Sequence, residues 1–172
     1  MVHWQCLCPQ HRLSRTAAHN RIWQVLGGRI VQHAPPEWTI QLELAMTDSG
    51  LSHSSKYRLW RPDGMAFDAK TKTLYLLELT RCSDSRQSSL LLAVERKEVK
   101  YDELREDITR HNPHLKILQL TFAIGYLGTT DDLGLRASLR ALNIPDTAVD
   151  AIIGATVTAT IAAFGKMGRE RW

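Results

Sequence analysis

Residues 61–80 read Arg61-Pro-Asp-Gly-Met-Ala-Phe-Asp-Ala-Lys-Thr-Lys-Thr-Leu-Tyr-Leu-Leu-Glu-Leu-Thr80, and this stretch decides the fold. Two short strands, Pro62–Asp68 and Thr73–Arg81, flank the turn-like Ala69-Lys-Thr-Lys72, the pattern of a β-hairpin. The second strand is apolar on both faces apart from one acid, Glu78, as expected of a central strand. A hairpin turning about Lys70-Thr71 sets Asp63 opposite Glu78, and cross-strand partners have Cβ atoms about 4.5–5.5 Å apart. Two ionised carboxylates that close repel, and an acid inside an apolar strand is costly to desolvate. A divalent cation that prefers oxygen, magnesium or manganese, relieves both costs. The plainer reading gives Glu78 an arginine partner and makes Asp63 the cap of a Pro-Asp-Gly turn.

Outward from the hairpin, Trp38–Ala45 alternates with period two, and Leu115–Ile124 reads as a further strand. Between them Leu90–His111 has helical spacing, which Asn112-Pro113 ends. At about 100° per residue, Leu90, Val94, Tyr101, Leu104 and Ile108 form an apolar stripe with Lys97 at its centre and Lys100 at its edge. Lysine is rare in such a stripe. Directed inward, it can hold a scissile phosphate, steady developing negative charge or orient the attacking water. The alternative is a stem packed on the core with its head in solvent. A helix from Thr16 is expected to end at Gly27-Gly28, before Pro35-Pro36. Helices near Asp131–Leu142 and from Thr147 toward Lys166 complete the chain. The pattern predicts an α/β (α+β) fold, with a small mixed central sheet containing an antiparallel hairpin, flanked by helices.

The 172 residues divide into a polar, Cys/His-containing N-terminal segment, 1–15, and a single domain, 16–172. Apolar residues at 44% and charged residues at 23% exclude a disordered tail protein or a fibrous repeat. A net charge of +4 suits a nucleic-acid partner without establishing one. Three cysteines make no disulfide framework and fit an intracellular, reducing compartment. The N-terminus lacks the apolar run of a signal peptide, and Val149–Phe164 is too short and too polar to span a bilayer, so no membrane partner is expected. Cys6-x-Cys8-x-x-His11 invites a structural zinc. Only Leu7 separates its cysteines, where structural sites place two to four residues, so both are expected reduced and metal-free. His19, on the first helix, is expected to make a helix-start hydrogen bond rather than to act as a ligand.

Pro-Asp, then a hairpin, a Glu in an apolar strand and a lysine resemble the PD-(D/E)xK nuclease superfamily. More narrowly, Arg61-Pro62-Asp63, fourteen intervening residues, Glu78, and Lys97-x-x-Lys100-Tyr101 resemble the restriction-like endonuclease domain of non-LTR retrotransposons. The resemblance covers roughly Ala18 to Gly125, and Ala18-His19-Asn20 is similar to that family's Arg-His-Asn type of helix start. In the common superfamily pattern the lysine lies two residues after the strand acid, where this chain has Thr80. The resemblance therefore needs the lysine moved to the helix, with Lys97 and Lys100 as alternatives.

What the resemblance implies is a restriction-endonuclease-like core and a metal-dependent DNA endonuclease hydrolysing phosphodiester bonds. Asp63, Glu78 and the Leu79 carbonyl would hold Mg2+ or Mn2+, with Lys97 or Lys100 catalytic. Lys56, Arg58, Arg61, Arg81, Arg86 and Tyr101 would contact DNA. Glu43, Asp68, Glu95 and Glu98 are further acids that the sequence alone leaves within reach. In a retroelement the nick primes reverse transcription, and the chain would be a fragment of a larger reverse-transcriptase polyprotein, nuclear in a eukaryote. Two alternatives keep the fold: a homodimeric resolvase of Holliday junctions or branched DNA, and a non-catalytic DNA-docking module.

Overall fold

The computed structural model of the chain describes residues 12–84, 88–132 and 134–169. In chain order its main elements are α1 (Arg12–His33), β1 (Trp38–Leu42), β2 (Gly64–Asp68), β3 (Thr73–Cys82), α2 (Ser88–His111), β4 (Lys116–Gly125), α3 (Leu135–Ala141) and α4 (Thr147–Arg169). Cys6, Cys8, His11 and Arg86 lie outside the described residues.

The hairpin has the expected register, running from Gly64↔Leu77 to Asp68↔Thr73. Asp68 closes its turn by accepting from the Lys70 N–H at 2.9 Å and the Thr71 hydroxyl at 2.6 Å. The sheet order is β1-β2-β3-β4. β1, β2 and β3 are antiparallel neighbours, and β4 joins β3 in parallel after the α2 crossover. The protein is thus a mixed α/β structure with a four-stranded mixed sheet flanked by helices.

Period-two alternation gives β3 two different faces. Leu77 and Leu79 join Ile22, Trp23 and Leu26 of α1, Phe122 of β4 and Ile152 of α4 in the larger core cluster. Leu74 and Leu76 join Tyr101, Leu104 and Ile108 of α2 in the smaller one. Each such aliphatic burial stabilises the fold by roughly 1.5–3 kcal/mol. By the same alternation Glu78 faces α2, and it is fully buried. Among the described residues no helix is long and apolar enough to cross a membrane.

Helix α1 begins at Arg12 rather than Thr16 and β2 at Gly64 rather than Pro62, and three further boundaries also differ from expectation. Helix α1 does not stop at Gly27-Gly28 but runs on to His33, next to the two prolines. Gly27 is where α1 meets β1, since a Cβ there would come within 2.9 Å of Leu42 Cδ1, so close packing rather than helix termination explains it. β1 ends at Leu42 rather than Ala45, because Glu43 turns to φ 55° and donates its N–H to the Asp63 carbonyl at 2.8 Å. α3 begins at Leu135 rather than Asp131, whose carboxylate instead accepts the Gly134 N–H at 2.7 Å.

Gly28 is exposed, and a Cβ there would meet nothing within 4 Å. Gly28→Ala should stabilise the protein by about 0.5–1 kcal/mol through helix propensity. Thermal unfolding should show the gain as a rise of about 2–4 °C per kcal/mol. A fall in melting temperature would mean that α1 breaks at the glycine pair after all.

Candidate active site

The site forms where β2 and β3 part. Ladder pairing ends at Gly64↔Leu77. Continuing that register by one step brings Asp63 opposite Glu78, and by a second step brings Pro62 opposite Leu79. Proline has no N–H to give, so the ladder cannot extend through Pro62. The Leu79 N–H goes instead to Asp63 Oδ2 at 2.7 Å. Asp63 in turn donates its own N–H to Glu78 Oε1 at 3.3 Å. The proline and the aspartate together turn the end of an ordinary hairpin into a pair of adjoining carboxylates.

Helices close the site from both sides. From α2, Lys97 Nζ donates to Glu78 Oε2 at 2.6 Å, with the lysine side chain 22% exposed against 1% for the glutamate. From α1, His19 Nε2 lies 3.2 Å from Asp63 Oδ1. Lys97 is therefore the lysine directed at the acids. Lys100 Nζ instead donates to the Tyr101 hydroxyl at 3.0 Å and stacks 4.4 Å from the Tyr101 ring centroid, with Trp60 beside it.

The electrostatics separate the two acids. Burial pushes the Asp63 carboxyl up, but the His19 hydrogen bond, the charges of His19 and Lys97 and the Leu79 N–H outweigh it and hold it below the ordinary value. Burial, then the charge of Asp63, raises Glu78, and Lys97 reverses only part of this. Burial and the Glu78 charge raise the Tyr101 phenol, which stays neutral and able to donate. Burial against the aromatic rings, then repulsion from Lys97, lowers Lys100. A glutamate that holds its proton too tightly beside an ionised aspartate is a pair that a divalent cation would relieve.

Among the described residues no group of three or more His, Cys, Asp or Glu side chains could hold a metal ion. That donor count does not disqualify the pair, because magnesium keeps several waters and is commonly bound through one or two carboxylates. The acid oxygens are hard donors, which fits such an ion and not a thiophilic one.

The other sequence candidates separate in space. Asp68 closes the hairpin turn at the far end of β2, which removes it from the set of reachable acids. Glu95 and Glu98 are exposed on α2, and Glu43 is exposed beyond β1. Lys56 pairs with Glu103 at 3.1 Å on the surface. Arg58 and Arg61 are exposed, and Arg81 extends from the end of β3 to α4. His19 is the residue that sequence reasoning misplaced. It makes no mere helix-start bond but reaches Asp63 across 44 residues of chain. The Ala18-His19-Asn20 similarity was the signal that could have found it.

No protein-family model matches the chain, and no curated protein matches it.

The raised Glu78 can be measured. Between the ordinary glutamate value and the raised one the folded chain binds more protons than the unfolded chain, so stability falls as pH rises through that window. Asp63 has the opposite sign: its stabilisation is present above the unfolded aspartate value and is lost as pH falls through the depressed one. Glu78→Gln removes the first effect alone. In EDTA the variant should gain on the parent as pH rises from 5 to 8, by about 1.4 kcal/mol for each unit of elevation. Urea unfolding across that range checks it, and a gap constant with pH would refute a raised Glu78.

Proposed function

We propose that the chain is a metal-dependent DNA endonuclease with a restriction-endonuclease-like core. The observation that carries this reading is the meeting of Asp63, Glu78 and Lys97 at the point where Pro62 ends the hairpin ladder. The two acids are one opposed pair, and the lysine comes from the crossover helix that follows their strands.

Asp63 and Glu78 would hold magnesium or manganese. The N–H and C=O of one strand residue point to the same side, so the Leu79 carbonyl faces the same gap as the N–H that Asp63 takes, and Pro62 offers it no donor. That carbonyl would be a third oxygen for the ion. When bound, the ion polarises a phosphate and lowers the pKa of a water. Lys97 keeps Glu78 oriented and places a positive charge beside the acids, where negative charge builds on a phosphate under attack. His19 fixes the Asp63 carboxylate from the other side. Retroelement nicking is the biological setting that the motif resemblance favours.

One observation favours a second reading, a DNA-docking module without cleavage: Lys97 already answers Glu78, and His19 already meets Asp63. Incubation of the chain with supercoiled plasmid and with four-way junction DNA, in magnesium, manganese or EDTA, separates the readings. The endonuclease should convert plasmid to nicked or linear product with either metal and leave it intact in EDTA. Preference for the junction would reassign it as a resolvase. DNA binding with no cut of either substrate would leave the docking module standing.

A further inference from the structure

At the C-terminal end of β3, lined by residues of α1, α2 and the loop of Tyr126, lies a cleft of about 470 Å³. Among the described residues its lining carries the cations Arg15, Arg81, Arg96, Lys97 and Lys100 and no acid. Lys97 belongs to the cleft and to the acid site, lining the former while its Nζ bonds Glu78. The volume falls in the usual range for ligand sites, about 300–1,000 Å³.

Arg81 is built into this cleft rather than left on its rim. Its Nη2 donates to Thr160 Oγ1 at 2.6 Å, and the hydroxyl of Thr160, 1% exposed on α4, donates in turn to the Tyr126 carbonyl at 2.7 Å. The Arg81 guanidinium stacks 4.7 Å from the Tyr126 ring centroid. The loop that carries Tyr126 is itself tied down, because Asp84 accepts the N–H groups of Leu127 and Thr129 at 2.9 and 3.3 Å. Two separate segments, α4 and the Tyr126 loop, thus hold one guanidinium still, on the strand that three residues earlier supplies Glu78.

We propose that this cleft is a phosphate subsite, seating a backbone phosphate of the nucleic acid next to the one that meets Asp63 and Glu78, with Arg81 as its anchor and Thr160 as the residue that positions the anchor. The proposal rests on the reading of the chain as acting on nucleic acid. A planar guanidinium presents paired N–H groups matched to two phosphate oxygens. A guanidinium already held in its bound orientation loses less freedom on binding.

The test measures binding of a labelled 25-base-pair duplex in EDTA, so that no cleavage intervenes, at several salt concentrations. Arg81→Ala and Arg96→Ala should each weaken binding about tenfold and reduce the salt slope by about 0.9, the loss of one phosphate contact. Thr160→Val keeps the side-chain shape and the phosphate contact but frees the anchor. It should weaken binding severalfold with the salt slope unchanged, which separates positioning of Arg81 from loss of a charge. Circular dichroism and melting temperature confirm folding, and Thr160→Val with Arg96→Ala keep the proposal testable should Arg81→Ala fold poorly. Parent-like binding and slope in Arg96→Ala and Thr160→Val would overturn the subsite. So would a cleft that only takes free phosphate: inorganic phosphate raising the melting temperature of the parent but not of Arg96→Ala, while duplex binding ignores the same substitution. A parent that cuts in magnesium while these variants bind normally sinks the subsite and keeps the nuclease. A parent that binds through the cleft yet never cuts does the reverse.

Discussion

Asp63→Ala should lower magnesium-dependent cleavage of supercoiled plasmid by on the order of 10³-fold or more, while DNA binding stays intact or tightens. Asp63 supplies one of the two carboxylates, while its backbone N–H to Glu78 survives the substitution, so the loss is that of the carboxylate alone. Its removal also frees the Leu79 N–H and His19, a loss of about 1–3 kcal/mol in a part of the protein that still reaches solvent. The variant should therefore fold. In the proposed reading binding would rest on lysine and arginine contacts with phosphates, and deleting an acid beside them would remove repulsion. Plasmid cutting by folded Asp63→Ala at the parent's rate in magnesium would sink the endonuclease reading, as would undiminished cutting by the parent in EDTA.

Lys97→Ala should show two losses that can be read apart. The first is catalytic, about 2.7–4 kcal/mol if the ammonium acts as one donor to developing charge. The second is structural and follows from the 1% exposure of its partner. Breaking a buried ion pair from one side leaves an uncompensated charge and destabilises by about 3–5 kcal/mol. Glu78 escapes that penalty by taking a proton, because its proton affinity, already raised, rises further without Lys97. The stability deficit should thus be large at pH 8 and shrink toward pH 5, as denaturant unfolding would show. Lys100→Ala should lack this pH-dependent deficit, since Lys100 bonds Tyr101 rather than an acid. A larger deficit in Lys100→Ala than in Lys97→Ala would reverse the assignment of the inward lysine.

Much of this site was legible in the sequence because it is local. Asp63, Glu78 and Lys97 lie within one strand–turn–strand–helix stretch, where periods of two and 3.6 residues fix which side chains share a face. What the sequence hid is what distant packing supplies. His19 meets Asp63 only because Ile22, Trp23 and Leu26 seat α1 on the sheet. Thr160 meets Arg81 across 79 residues for a comparable reason, the docking of α4. The glycine pair misled because its usual role, ending a helix, is a local preference, whereas Gly27 answers to Leu42 on another element. No period in the chain encodes such contacts.

The two unlike faces of β3 make its register unforgiving. Sliding that strand by a single residue against its neighbours exchanges every inward side chain for an outward one. Glu78 would then leave Lys97 and enter the aliphatic company of Ile22, Leu26, Phe122 and Ile152. A carboxylate stranded there incurs several kcal/mol, comparable to a large part of what holds a domain together. Mis-threaded hairpins are therefore rejected by the same atom group that the proposed chemistry would use, and a residue costly to bury doubles as the proofreader of its own strand.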